Sequence, residues 1–67
     1  YSYSKPGGEN YTIKVLDDPD SPSIAKRRFA VVLNESGVIV LRGPKSFSSS
    51  TRVLVDEIKF RINNQLP

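Results

Sequence analysis

The only cluster of side chains that could carry acid–base chemistry or hold a hard cation is formed by Asp17, Asp18 and Asp20. These three carboxylates lie in the segment Asp17–Ser23, which also contains two prolines and two serines and so has the composition of a surface loop. A calcium-binding loop needs alternating acidic positions, a central glycine and a distant glutamate, and this segment lacks that pattern. The cluster is therefore expected to be a loop rather than a metal site.

Few other residues of the chain could take part in catalysis. The chain of 67 residues contains no histidine and no cysteine, so the commonest general base, the commonest metal ligand and the thiolate nucleophile are all absent. The serines have no histidine to activate them, and Gly7–Gly8 and Arg42–Lys45 lack the glycine spacing of a phosphate loop. We therefore expect a non-enzymatic protein with no cofactor.

Basic residues are more numerous and are unevenly distributed. Residues 1–23 carry two basic and four acidic side chains, a net charge of −2, whereas residues 24–67 carry eight basic and three acidic ones, a net charge of +5. In the predicted sheet, six of the basic residues gather at the end away from the hairpin turn and at the start of the helix, a grouping that could contact phosphates. This predicted basic edge consists of Lys26, Arg27, Arg28, Arg42, Lys45 and Arg52.

The elements that position these residues follow from hydrophobic periodicity. Tyr11, Ile13 and Val15 alternate with polar residues and predict a first strand, and a second is predicted from Lys26 or Arg27 to Leu33. Asn34–Gly37 has the composition of a four-residue hairpin loop, so Val38–Arg42 should return as a third strand. Gly43 and Pro44 are expected to end this third strand.

A helix is predicted from about Ser49 to Asn64. Ser48, Ser49 and Ser50 can each cap its first turn, and Pro67 prevents its continuation. The apolar residues that fall on one face at helical spacing are Leu54, Val55, Ile58, Ile62 and Leu66.

These elements predict an α+β fold in which a three-stranded, mostly antiparallel sheet packs against one C-terminal helix, in the order β-β-β-α. Residues 1–9 are expected to form an extended N-terminal arm and residues 10–67 a single small domain. The predicted core consists of Ile13, Val15, Phe29, Val31, Leu33, Val38, Val40, Leu54, Ile58 and Ile62.

Two apolar features exceed what one helix and one sheet can bury. The second face of the predicted sheet carries Ala30 and Val32, and the third strand is apolar on both faces; Val53 and Phe60 add a spot on the far side of the helix. Either another chain covers these residues, or the arm with Tyr1 and Tyr3 folds over the second face.

The sequence therefore supports two functions. The first is a small interaction or assembly subunit, which binds another protein chain or self-associates through Ile39, Leu41, Val53 and Phe60. The alternative is a nucleic-acid-binding module that uses the basic edge. A membrane span is not expected, because the longest apolar runs are Phe29–Leu33 and Val38–Leu41.

Overall fold

The structure, a computed structural model, describes residues 1–47 and 50–66. As predicted, the fold is α+β, with an antiparallel sheet packed against one C-terminal helix. Within these described residues the sheet contains five strands, more than the three predicted. The elements are β1 (Ser2–Ser4), β2 (Asn10–Asp17), β3 (Arg27–Leu33), β4 (Ile39–Arg42), β5 (Ser46–Phe47) and α1 (Thr51–Gln65).

Strand β3 is the centre of the sheet. The strand order is β1-β2-β3-β4, and β5 pairs with β3 farther along the edge that β4 occupies. The β2–β3 register places Ile13 opposite Val32 and Leu16 opposite Phe29. Because side chains alternate along a strand, each of these cross-strand pairs shares one face of the sheet.

The hairpin between β3 and β4 forms at the predicted turn. Gly37 N donates to Asn34 O at 3.0 Å, and Gly37 has a φ of 81°, a conformation that glycine adopts without steric cost. The side-chain Oδ1 of Asn34 accepts from Ser36 N at 2.9 Å and from Val38 N at 3.0 Å. Asn34 thus satisfies the turn's backbone donors with its own amide oxygen.

Helix α1 begins with a serine cap. Ser50 has extended backbone angles, and its Oγ accepts from Val53 N at 3.2 Å, which satisfies one free donor of the first turn. The predicted helix start at Ser49, and the capping role suggested for Ser48 and Ser49, lie outside the described residues. In the part of the chain that the structure describes, no helix is long and apolar enough to cross a membrane.

The first residues of the chain form an edge strand of the sheet. Strand β1 pairs with β2, and Tyr3 lies opposite Tyr11. The Tyr3 hydroxyl donates to Asn63 Oδ1 at 2.8 Å, and Lys5 Nζ donates to Leu66 O, so this segment also binds the end of the helix. Of the three residues in β1, only Tyr3 packs against the core. The strand therefore shows no apolar alternation in the sequence.

The helix covers the face of β3 that the sequence analysis treated as the second face. Helix residues Val55, Ile58 and Ile62 pack against Ala30 and Val32 of β3, not against Phe29, Val31 and Leu33. The strand is apolar on both faces, so alternation alone could not identify the covered one. The helix packs on this face because the residues there are small. Gly43 N donates to Ala30 O at 2.8 Å, and a Cβ at Gly43 would lie only 3.3 Å from Ile58 Cδ1 of the helix. The buried apolar residues are Tyr11, Ile13, Ala30, Val31, Val32, Leu54, Val55, Ile58 and Ile62.

Candidate protein-interaction surface

A β-bulge in β4 decides which apolar residues remain exposed. Leu41 lies opposite Val32, and Ile39 lies opposite Leu33, with the register shifting between these two pairs. Because Val32 and Leu33 point to opposite faces, Leu41 and Ile39 do so as well. The two β4 residues of the predicted interface, Ile39 and Leu41, therefore lie on different faces: Leu41 packs against the core beneath the helix, and Ile39 lies on the uncovered face.

The uncovered face of the sheet carries a continuous apolar row, which we call the open face: Leu16, Phe29, Val31, Leu33 and Ile39. Leu16 and Ile39 are each 41% exposed, whereas Val31 between them is only 1% exposed. Phe29 and Leu33 are half-buried. No layer of the described chain packs on this row. Exposed apolar residues grouped in this way are typical of an interaction surface.

Two cations flank the centre of the open face. Lys14 of β2 and Arg42 of β4 are both register partners of Val31, so their side chains leave the sheet on the same side as Val31. Both residues are exposed. Long cationic side chains beside an apolar residue can cover it with their aliphatic stems while their charged ends remain in water. The open face therefore combines an apolar centre with positive charge on either side.

At one end of the open face, a buried carboxylate holds two of the predicted basic residues. The Asp18 side chain is fully buried, with Oδ2 3.0 Å from Arg27 Nη2 and Oδ1 3.2 Å from Lys45 Nζ. Asp18 Oδ1 also accepts from Asp20 N at 3.1 Å. Burial alone would raise the pKa of Asp18, but the Asp20 hydrogen bond, Lys45 and Arg27 together hold that pKa below its ordinary value.

The Asp18 cluster thus serves the fold. It links the loop after β2 to β3 and to the connection between β4 and β5, and Ser21 Oγ adds a hydrogen bond to Asp18 O at 2.7 Å. Lys45 also lies above the Phe29 ring, with Nζ 6.0 Å from its centroid. Among the described residues, no group of three or more potential ligands is placed to hold a metal ion.

The remaining residues of the predicted basic edge have different surroundings. Arg28 pairs with Asp17 at 3.8 Å and donates to Thr51 Oγ1 at 2.8 Å, which connects β3 to the start of the helix. Arg52 lies 4.0 Å from Asp56 on the exposed side of the helix. Lys26 and Arg42 are exposed. Ion pairs therefore involve four of the six residues: Arg27, Arg28, Lys45 and Arg52.

A second exposed apolar spot lies on the far side of the molecule. Val53 is 54% exposed and Phe60 is 70% exposed, and both lie on the helix side opposite Ile58. Asp56 and Glu57 fall in the same outward sector at 100° per residue. We call Val53, Asp56, Glu57 and Phe60 the outer stripe. Since the sheet separates the helix from the open face, one partner molecule cannot cover both surfaces with a single flat contact.

Beyond the hairpin end of the open face, the surface becomes polar. A shallow groove of about 650 Å³ lies there, lined in part by Ser2, Ser4, Thr12 and Glu35. Burial raises the pKa of the nearby Tyr11 phenol, and the carboxylates of Glu9 and Glu35 raise it further. The phenol therefore stays protonated at neutral pH and is a poor base or nucleophile.

Sequence reasoning identified Ile39, Val53 and Phe60 as exposed but missed Leu16, Phe29 and Lys14. The available signal was the alternation of β2, in which Leu16 shares a face with Lys14 while Ile13 and Val15 occupy the other. An apolar residue on the polar face of an amphipathic strand indicates that this face is also partly covered.

Comparisons of this chain with protein-family models, with curated proteins and with solved structures found no match.

Proposed function

We propose that this chain is a non-enzymatic protein-interaction module that binds another protein through its open face. The observation that carries the proposal is the one-sided packing of the sheet: the helix covers Ala30 and Val32, while Leu16 and Ile39 on the opposite face each remain 41% exposed. Burying apolar surface of this kind is the main favourable term in protein association.

The charges beside this row define the partner's chemistry. Lys14 and Arg42 flank the apolar centre, so a complementary surface presents apolar side chains bordered by carboxylates. The apolar centre supplies affinity, and the flanking charges favour partners of the correct sign over basic ones.

A retention experiment with three immobilised forms of the chain tests this proposal: the wild type, Leu16→Glu and Ser23→Glu. Ser23 is exposed in the loop between β2 and β3, so its change matches the added charge without touching the open face. A cell extract is treated with nuclease and passed over each immobilised form. We expect the wild type and Ser23→Glu to retain a protein that Leu16→Glu does not retain. The same difference must persist with that protein in purified form; equal retention by all three forms would disprove the proposal.

Nucleic-acid binding is the second candidate, and the pair Lys14 and Arg42 on the open face favours it. The predicted basic edge adds less than its six charges suggest, because Asp17, Asp18 and Asp56 lie in ion pairs with four of them. If a duplex is the partner, changing Lys14 and Arg42 to alanine weakens binding and reduces its dependence on salt. Loss of the retained material after nuclease treatment would also favour this function.

A further inference from the structure

Residues 1–5, which we call the β1 segment, bind a site that the rest of the chain forms. Their backbone pairs with the outer edge of β2. The Tyr3 ring packs against the core, and its hydroxyl donates to Asn63 Oδ1 at 2.8 Å. Lys5 Nζ donates to Leu66 O at the end of the helix. These contacts all involve β2 or α1, so the β1 segment of another copy can make the same ones.

A short turn makes this contact intramolecular. Pro6, Gly7 and Gly8 are exposed and connect the β1 segment to β2. Gly8 N donates to Lys5 O at 2.9 Å, and Gly7 has a φ of 70°, in the left-handed region that glycine adopts without steric cost. A Cβ at Gly7 would meet no atom within 4 Å, so the turn packs against nothing at that position.

The β1–β2 register can continue unchanged if this turn opens into an extended strand. In every β1–β2 pair the two residue numbers sum to 14: Ser2 and Thr12, Tyr3 and Tyr11, Ser4 and Asn10. Two opened copies can therefore pair antiparallel in the same register, with Gly7 of each copy on the two-fold axis. Lys5 then lies opposite Glu9 of the other copy, and opposite charges at such cross-strand positions are favourable.

Pro6 does not prevent this pairing. Ile13 N donates to Tyr1 O, and Lys5 N donates to Glu9 O. Odd-numbered residues of the β1 segment therefore make the ladder hydrogen bonds, and even-numbered ones direct their N–H groups away from β2. Because Pro6 is even-numbered, its missing N–H group leaves no gap in the ladder. The residue before a proline also favours extended backbone, which suits Lys5 in a straight strand.

We infer that two copies of this chain exchange their β1 segments, so that each segment binds β2 and α1 of the other copy and a closed two-fold dimer forms. The dimer and the monomer contain the same docking contacts and differ in residues 6–8, so the turn and the protein concentration set the balance between them. A short connection gives the intramolecular contact an effective concentration in the millimolar range. Below that range the wild type should therefore be a monomer.

This inference does not depend on the proposed function. The β1 segment lies at the β2 edge of the sheet, and with it docked Leu16 and Ile39 of the open face are each 41% exposed. Exchange therefore leaves the open face uncovered, and a dimer would present two such faces to a partner.

A pair of cysteines identifies the copy to which each β1 segment binds. The chain has no cysteine of its own, and Ser4 lies opposite Asn10, with Ser4 Oγ donating to Asn10 Oδ1 at 2.6 Å. In such a non-hydrogen-bonded pair the Cα atoms are about 4.5 Å apart, a distance that a disulfide spans. Ser4→Cys combined with Asn10→Cys should form a disulfide within one chain in the monomer and disulfides between chains after exchange. Non-reducing electrophoresis separates the two products.

Gly7 should control the exchange. Alanine at Gly7 strains the closed turn, because L-residues disfavour a φ of 70°, and opening relieves that strain in both copies. The strain corresponds to a factor of about 5 to 30 per chain, so the Kd of the dimer should fall roughly 30- to 900-fold. Gly8→Ala is the matched control, since Gly8 has no positive φ and its added Cβ would contact Lys5 at an ordinary 3.5 Å.

The cysteine pair is placed in three proteins, which carry the unchanged turn, Gly7→Ala or Gly8→Ala. Each is equilibrated at concentrations up to about 1 mM and then oxidised. Chain-to-chain disulfides should appear at much lower concentration in Gly7→Ala than in Gly8→Ala, and with the unchanged turn they should appear as concentration approaches about 1 mM. Circular dichroism verifies that each protein is folded.

Two outcomes would overturn the inference. If every disulfide stays within a single chain, in the protein with the unchanged turn at the highest concentration and in folded Gly7→Ala, the β1 segment does not exchange. If Gly7→Ala and Gly8→Ala form chain-to-chain disulfides at the same concentration, the left-handed turn does not hold the monomer closed. Should Gly7→Ala fail to fold, the protein with the unchanged turn decides between exchange and no exchange.

Discussion

Asp18 precedes the β3–β4 hairpin in the chain and Lys45 follows it, yet Oδ1 of the first is 3.2 Å from Nζ of the second. The contact brings the loop after β2 against the connection between β4 and β5, on the same side of the sheet as the Phe29 ring. It explains why an acidic loop and a basic strand end occur together in this sequence: their charges stabilise one another inside the fold instead of forming two separate surface patches.

Stability should fall in acid because of Asp18. Its folded pKa lies below the ordinary value of 3.8, so its contribution is fully present above that value and is lost as pH falls through the lowered folded pKa. Thermal unfolding of the wild type and of Asp18→Asn should be measured from about pH 6 to about pH 2. The wild type should be the more stable at pH 6, and its advantage should shrink on acidification; a constant difference would contradict this role for Asp18.

The β-bulge predicts unequal effects at Ile39 and Leu41. Leu41→Ala should cost about 2 kcal/mol or more of unfolding free energy, because Leu41 packs against the core beneath the helix. Ile39→Ala should cost less than about 1 kcal/mol, because Ile39 is 41% exposed on the other face. Urea unfolding of both variants measures the difference, and equal losses would place the two side chains on the same face.

Gly37 should resist replacement by residues with a side chain. At its φ of 81°, alanine costs roughly 1–2 kcal/mol, and asparagine, which tolerates this conformation better, should cost less. Steric contact cannot cause the loss, because a Cβ at Gly37 would meet no atom within 4 Å. Ser36→Ala is the local control and should change unfolding free energy by less than about 0.5 kcal/mol. An alanine variant as stable as the wild type would contradict the backbone explanation.

Local patterns determined much of this fold. The Asn34–Gly37 hairpin, the helix face with Leu54, Val55, Ile58 and Ile62, and the serine cap were all predictable, since each depends on residues a few positions apart. The covered face of β3 was not, because Phe29–Leu33 is apolar on both sides and the choice depends on how closely the helix can approach Ala30 and Gly43.

The candidate site was less predictable than the fold. An extra residue in β4 reverses the alternation between Ile39 and Leu41, and nothing in four consecutive apolar residues marks where that residue is inserted. Strand β1 was missed for a similar reason. This three-residue segment forms a strand only because it can pair with the edge of β2. Pairing of cations with Asp18 likewise depends on contacts between distant segments.

The bulge in β4 also limits how copies of this chain can aggregate. An edge strand with a straight row of backbone donors and acceptors invites another strand to extend the sheet, and a bulge interrupts that row and twists the edge. Val38, Ile39 and Val40 would otherwise form a β-branched, exposed edge. A strand of a second folded copy should therefore add poorly to the β4 edge of the sheet.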